Sequence, residues 1–203
     1  MWVEMSEALR GLREVLCGNF LVVCLGNELR GDDAVGKLVA DALRDGGLGD
    51  RVVYLGTRPE DVARLVERGG YDRLLFIDAV EAGLSPGSLV VGEVGELEEP
   101  PALVTTHNVP LSLVVAYLRT LVPSLKAYLA GVQVRSTEVG SEISEEVARA
   151  GRELAAAILA LAERSARELG GGEGEVPNQG LRDQAEEGAE AGEGERQQHQ
   201  VRG

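Results

Sequence analysis

Segments of two kinds alternate between residues 19 and 165: short apolar runs typical of buried strands, and longer segments with apolar residues at helical spacing. Phe20–Leu25 is a continuous apolar run that ends at Gly26-Asn27, which suits a strand buried on both faces. Because strands that alternate with helices form parallel sheets covered on both sides, the sequence predicts an α/β fold. We expect a doubly wound, mostly parallel sheet flanked by helices on both faces.

The order of the predicted elements follows from the same alternation. Strands are predicted at residues 20–25, 51–55, 74–77, 88–94 and 125–134. Helices are predicted at residues 34–44, 59–68, 109–121 and 142–164. The polar, proline-bearing segment 96–104 is predicted to be a loop.

Three regions are predicted along the chain. Residues 1–18 read as a short amphipathic lead-in helix, and residues 19–167 hold the folded domain. Residues 168–203 are rich in acidic residues and glycine, with hardly any large apolar residue. Such a segment buries too little surface to offset the entropy lost on ordering, so we expect a disordered tail.

Composition excludes several classes of protein. The formal net charge of −14 argues against nucleic-acid binding, which needs a basic surface. No apolar run approaches the roughly 18–20 residues that cross a bilayer, so no membrane insertion is expected. The first 18 residues lack the pattern of a secretory signal, which predicts a cytoplasmic protein.

The first strand-to-helix junction carries two carboxylates. In doubly wound sheets, ligands bind where the strands end, so this junction is a place to look for a site. It has no phosphate-binding glycine motif, and Asp32 and Asp33 stand at the start of the next helix. The pair suits a cation, although Asp32 could instead cap the helix and Asp33 could complement its dipole.

Two later junctions carry further polar residues. Asp78 directly follows a buried strand, and His107 precedes the helix predicted at 109–121. With Asp33 they supply two carboxylates and one imidazole, a set that fits nickel or zinc with open coordination positions. Structural roles remain open, because an aspartate can close a turn and a lone histidine is often structural. Asp33 and Asp78 could also act as a carboxylate pair if their loops converge.

Several short motifs together resemble the hydrogenase maturation proteases, and most closely the branch that serves hydrogenase 3-type enzymes. They recur in the family's order between about residues 20 and 147: Gly26-Asn27, Leu29, Gly31-Asp32-Asp33 and Gly36; Gly56-Thr57 with Pro59-Glu60; Ile77-Asp78-Ala79; Pro86-Gly87; His107-Asn108; and Gly131-Val132-Gln133.

This resemblance implies a twisted sheet flanked by helices and an aspartic-type endopeptidase. Such an enzyme removes a C-terminal extension from the large-subunit precursor of a nickel–iron hydrogenase once nickel has been inserted. The family's metal-contacting residues fall on Asp33, Asp78 and His107, of which Asp33 and Asp78 are also the expected catalytic residues. Nickel would be presented by the substrate, and zinc or another divalent ion could occupy the site in isolation. We expect a monomer.

Two other functions use the same residues. One is a non-catalytic, nickel-dependent chaperone that binds the precursor without cutting it. The other is a peptidase of the same fold with an unrelated substrate.

Overall fold

Within residues 5–95, 104–105 and 110–169, which the computed structural model describes, the chain forms six strands and five α-helices. The strands are β1 Phe20–Leu25, β2 Val52–Gly56, β3 Arg73–Glu81, β4 Leu89–Glu93, β5 Val104–Thr105 and β6 Lys126–Gln133. The helices are α1 Met5–Val15, α2 Val35–Leu43, α3 Val62–Gly69, α4 Leu111–Leu121 and α5 Glu145–Leu169. Short 3-10 helices, Gly31–Ala34 and Pro59–Asp61, lead into α2 and α3.

The strands form one mixed sheet in the order β2-β1-β3-β6-β4. β2, β1, β3 and β6 are parallel to one another, whereas β4 runs antiparallel to β6. The two-residue β5 pairs antiparallel with the end of β3. The predicted mostly parallel α/β sheet is confirmed, with antiparallel strands only at β4 and β5 among the described residues.

Helices cover both faces of the sheet. α1, α2 and α5 share one apolar core with alternate residues of β1 and β3, such as Val22 and Leu75. The intervening strand residues, such as Val23 and Phe76, are also fully buried and point to the opposite face. The buried residues of α3 and α4, which contact each other, lie on that second face. The predicted doubly wound arrangement is therefore present.

The predicted bounds hold best where an apolar run is sharply delimited. β1 is found at the predicted residues, because glycine follows it directly. β3 is longer than the predicted 74–77, since it continues through Asp78 to Glu81 and remains paired with β6. Val104, assigned to the predicted loop 96–104, instead pairs with Glu81 in β5. The rest of that loop, His107 and the part of the predicted tail after Leu169 lie outside the described residues.

None of the helices in the described part of the chain is both long and apolar enough to cross a membrane. The longest, α5, packs against α2 along its length and contributes buried residues such as Leu154 and Ile158 to the core. Its role is therefore to close one face of the sheet.

Candidate active site

The sheet has a topological switch point between β1 and β3. The chain passes from β1 to β2 on one side and then crosses to β3 on the other side of β1. Crevices at the carboxyl ends of strands on either side of such a reversal are the usual ligand sites of open α/β sheets. Asp33 follows β1 and Asp78 lies in β3, so both candidate carboxylates belong to this switch point.

The turn after β1 is built closely around Asp33. The Asn27 N–H donates to Asp33 Oδ2 at 3.0 Å, and the Asp33 side chain is almost fully buried. Gly26 has φ +123°, and a Cβ atom there would lie 2.0 Å from the Asp33 carbonyl oxygen. Only glycine fits this position, because both the backbone conformation and the close contact exclude a side chain. The Tyr54 hydroxyl donates to the Gly26 carbonyl at 2.8 Å and holds the turn from β2.

Helix α2 begins in direct contact with the end of β1. A Cβ atom on Gly36 would lie 1.7 Å from the carbonyl oxygen of Leu25, so the first turn of α2 can approach the strand only with glycine at this position. The spacing of Gly26, Asp33 and Gly36 thus has a physical explanation. The two glycines let the strand, the turn and the helix pack closely enough to bury the carboxylate between them.

Asp78 is the second buried carboxylate of this edge. Its side chain is 0% exposed, and its Oδ1 accepts the N–H of Ala79 at 2.8 Å. The strand stays regular at this point, with Asp78 opposite Gly131 of β6. The 3-10 helix Gly31–Ala34, which carries Asp33, contacts β3. The structure therefore brings the elements that carry the two predicted carboxylates together.

On one side of β3 the strand pairing is interrupted at Asp78. β1 is paired with β3 up to Ile77, whereas β5 is paired with it only from Val80 onward. Asp78 and Ala79 lie between these two partners, so among the described residues no strand pairs with β3 on that side at the position of the carboxylate. The interruption lies beside Asp78, whose side chain is itself fully buried.

The third predicted ligand, His107, lies outside the described residues. Among the residues that are described, no group of three His, Cys, Asp or Glu side chains is arranged to hold a metal ion. The three-ligand site therefore stays a prediction, and the structure bears directly on its two carboxylates only.

Asp32 does not cap its helix, so that interpretation is wrong. Neither the 3-10 helix nor α2 has a side-chain cap. Instead, Asp32 Oδ2 accepts the N–H groups of Arg135 at 2.6 Å and Ser136 at 3.1 Å, and its Oδ1 accepts the N–H of Ser144 at 2.6 Å. Burial alone would raise the pKa of Asp32, but these hydrogen bonds to the carboxylate outweigh it and lower the pKa below its usual value.

Gln133, which belongs to the Gly131-Val132-Gln133 motif, is a second residue that organises this end of the sheet. Its Oε1 accepts the N–H groups of Ala82 and Leu84, and its Nε2 donates to Glu81 Oε1 and to the Val134 carbonyl. It is almost fully buried and ties β6 to the turn after β3. The signal in the sequence was a polar residue inside the predicted buried strand 125–134, because a buried side-chain amide needs hydrogen-bond partners.

Known proteins share both the sequence and the fold of this chain. The family model described as hydrogenase maturation protease (HycI) matches residues 39–161. The curated hydrogenase 3 maturation protease of Escherichia coli strain K12 is 32% identical over 100 residues, which are 49% of this chain. The match spans 64% of the length of that relative.

Solved structures extend the similarity to about three quarters of the chain. A crystal structure of a NiFe hydrogenase maturation protease HycI from Thermococcus kodakarensis KOD1 superposes with a TM-score of 0.66 at 28% identity, covering 75% of this chain and 98% of that one. The NiFe hydrogenase maturation protease HybD of the same species gives a TM-score of 0.58 at 26% identity, over 72% of this chain and 98% of that one. With the family match over residues 39–161, these similarities confirm the predicted resemblance, and the chain belongs to the hydrogenase maturation protease family.

Proposed function

We propose that this protein is an endopeptidase that removes a C-terminal extension from the nickel-loaded large-subunit precursor of a nickel–iron hydrogenase. Membership of the maturation protease family supports the reaction class. The observation that carries the proposal is the placement of two buried carboxylates, Asp33 and Asp78, at the switch point of the sheet. Burying a carboxylate costs free energy unless hydrogen bonds or a partner charge offset it, and buried ionisable groups of this kind concentrate at functional sites.

The two carboxylates can divide the acid and base roles of peptide hydrolysis. An ionised carboxylate accepts a proton from the water that attacks the scissile carbonyl, and a protonated one donates a proton to the departing amine. Two carboxylates at one site can therefore supply both functions. We propose that Asp33 and Asp78 form this aspartic-type pair.

Nickel belongs to the substrate in this proposal. Two carboxylates and an imidazole, from Asp33, Asp78 and His107, fit a borderline divalent ion and leave coordination positions for ligands from the precursor. When bound, the ion would polarise a nearby carbonyl group, or it would serve only as the feature by which the enzyme recognises a nickel-loaded precursor. The protein then needs no resident metal, although zinc or another divalent ion could occupy the same donors in isolation.

The place of His107 in this set is supported by the short strand β5. Thr105 pairs with Val80, two residues beyond Asp78 in β3. His107 follows Thr105 by two residues, and two residues span at most about 7 Å. The covalent connection therefore permits the imidazole to reach the carboxylates, which is the reason to include it.

The test is the intact mass of the candidate precursor, nickel-loaded and nickel-free, after incubation with the protein. We expect loss of a C-terminal peptide from the loaded form only. Asp33→Asn, Asp78→Asn and His107→Ala should each abolish this cleavage. The exposed acid Asp45 provides a control, and Asp45→Asn should cleave like the wild type.

The outcomes separate the competing functions. Binding of the loaded precursor without any mass loss would indicate a chaperone and refute the peptidase. Cleavage of the nickel-free precursor at the full rate would refute nickel recognition while leaving the peptidase in place. Wild-type activity in the Asp78→Asn variant would refute the catalytic pair.

A further inference from the structure

Two loops beside the candidate site are joined into one unit. The first, residues 27–31, follows β1, and the second, residues 135–144, precedes α5. The Gly140 N–H donates to the Leu29 carbonyl at 2.8 Å, and Arg30 Nε donates to the Thr137 carbonyl at 3.2 Å. We call these two joined loops the rim of the site.

Asp32, which directly follows the first loop, adds further hydrogen bonds to the second loop. Its N–H donates to the Ser136 carbonyl at 3.0 Å, and its buried carboxylate accepts three N–H groups of the second loop. Asn27, at the start of the first loop, donates its N–H to Asp33. The rim is therefore held in a defined position relative to a candidate catalytic carboxylate.

Each loop of the rim exposes one large apolar side chain. Leu29 is 69% exposed and Val139 is 73% exposed, the two highest values among the exposed large apolar residues of the described chain. The hydrogen bond between Gly140 and Leu29 joins the two loops next to these side chains. Two exposed apolar residues on hydrogen-bonded loops beside a site offer a surface that a partner can cover.

The charges of the rim indicate which partner fits. Glu28, Glu138 and Glu142 are exposed on it. Arg135 pairs with Glu146 of α5, whereas Arg30 donates to the neutral Thr137 carbonyl and keeps its positive charge. Three exposed glutamates against Arg30 leave the rim with an excess of negative charge, which complements a segment that has basic residues next to an apolar side chain.

We propose that the rim docks the protein substrate, with Leu29 and Val139 contacting an apolar side chain and the three glutamates attracting basic neighbours. This inference rests on the proposed function, because it assigns the docking surface to the substrate of the same site. Asn27 and Asp32 link the rim to Asp33. A segment of the substrate that binds to the rim would therefore lie close to the candidate carboxylates.

The test compares cleavage kinetics on the nickel-loaded precursor for the wild type, Leu29→Ser, Val139→Ser and the double variant. Both side chains are exposed in the free protein, so the variants should fold with an unchanged Tm. We expect KM of the double variant to rise by on the order of tenfold to a hundredfold, with the change in KM rather than in kcat. Glu138→Lys should raise KM as well, and this increase should shrink at high salt.

The matched control is Leu121→Ser. Leu121 is 38% exposed and lies at the end of α4, close in sequence to the start of β6 and therefore near the amino ends of the parallel strands, away from the candidate site. This control should keep the wild-type KM. If it raises KM as much as the double variant does, the effect is not specific to the rim and the docking proposal is wrong.

The proposal and the proposed function fail in different ways. If the wild type cleaves the precursor and the double variant keeps the wild-type KM, docking on the rim is refuted and the peptidase stands. If the wild type binds the loaded precursor without cleaving it, the peptidase is refuted. In that case the Kd of the double variant for the loaded precursor tests docking. A Kd raised at least about tenfold supports docking on the rim, and an unchanged Kd refutes it. If the wild type neither binds nor cleaves the precursor, both proposals are refuted.

Discussion

In an Asp32→Asn variant, a neutral amide replaces a buried carboxylate that accepts three backbone N–H groups. The asparagine oxygen can keep the Arg135 and Ser136 N–H groups, which share Oδ2 in the wild type. The asparagine NH₂ group then faces the N–H of Ser144, so two donors meet where an acceptor is needed. The change removes one hydrogen bond and weakens two others.

The magnitude follows from these three contacts. A hydrogen bond to a charged group contributes about 1.5–3 kcal/mol, and one to a neutral group contributes about half of this. We therefore expect the free energy of unfolding to fall by about 2–4 kcal/mol. This is larger than the ~1 kcal/mol expected for a helix cap. The midpoint of thermal unfolding should fall by roughly 5–15 °C for a domain of this size.

The loss should depend on pH with a defined sign. The pKa of Asp32 is lowered in the folded protein, so its contribution to stability is fully present above the usual pKa of 3.8 and is lost as the pH falls through the folded-state value. Asparagine does not titrate. The difference in stability between the wild type and Asp32→Asn should be constant from about pH 7 to pH 5 and should shrink below about pH 4.

Urea denaturation at a series of pH values measures both effects. The control is Asp45→Asn, which removes an exposed carboxylate and should change stability by less than about 0.5 kcal/mol. A loss of only about 1 kcal/mol would mean that water or rearrangement replaces the three contacts. A loss that stays constant down to pH 3 would show that the charge on Asp32 plays no part, and would refute the reasoning.

Two further predictions concern the same edge of the sheet. Gly36→Ala should destabilise the protein by at least about 3 kcal/mol, because its Cβ would overlap the Leu25 carbonyl, whereas Gly49→Ala, with nothing within 4 Å, should be neutral or stabilising by up to about 1 kcal/mol. Urea denaturation of both variants measures this, and equal effects would contradict the packing argument. Burial raises the pKa of the Cys24 thiol, whereas Cys17 is exposed, so a thiol reagent should modify only Cys17 in the folded protein and both after unfolding. Rapid native modification of Cys24 would show that β1 opens.

The sequence predicted the elements whose signals are local. β1 was placed correctly because six apolar residues are followed by a glycine turn, and the location of Asp33 at the first strand-to-helix junction followed from the order of strands and helices. The helix cap that was one alternative for Asp32 is wrong because the partners of Asp32 lie more than a hundred positions away, at 135, 136 and 144. An aspartate before a helix has the local pattern of a cap, and no local pattern reveals a distant loop whose N–H groups it accepts.

The end of β3 was misplaced for a related reason. A polar residue after four apolar ones normally indicates the end of a strand, and Asp78 was interpreted in that way. The carboxylate accepts the N–H of the next residue, and the backbone remains paired with β6. Nothing in the local sequence distinguishes an aspartate inside a buried strand from one that ends the strand. The position of Asp78 within β3 could therefore be recognised only from the pairing of the strands in the sheet.

The connection between Asp32 and Ser144 also has a consequence for synthesis of the protein. These residues are 112 positions apart, and Ser144 directly precedes α5, so the turn that carries Asp33 is completed only by a segment made late in translation. Contacts of such long sequence separation form slowly, because the chain between them must first be brought together. We therefore expect a ribosome-bound chain that ends near residue 130 to contain both candidate carboxylates and yet lack the assembled site. The candidate site would be assembled only after α5 has left the ribosome, so a chain that is still being made would lack it.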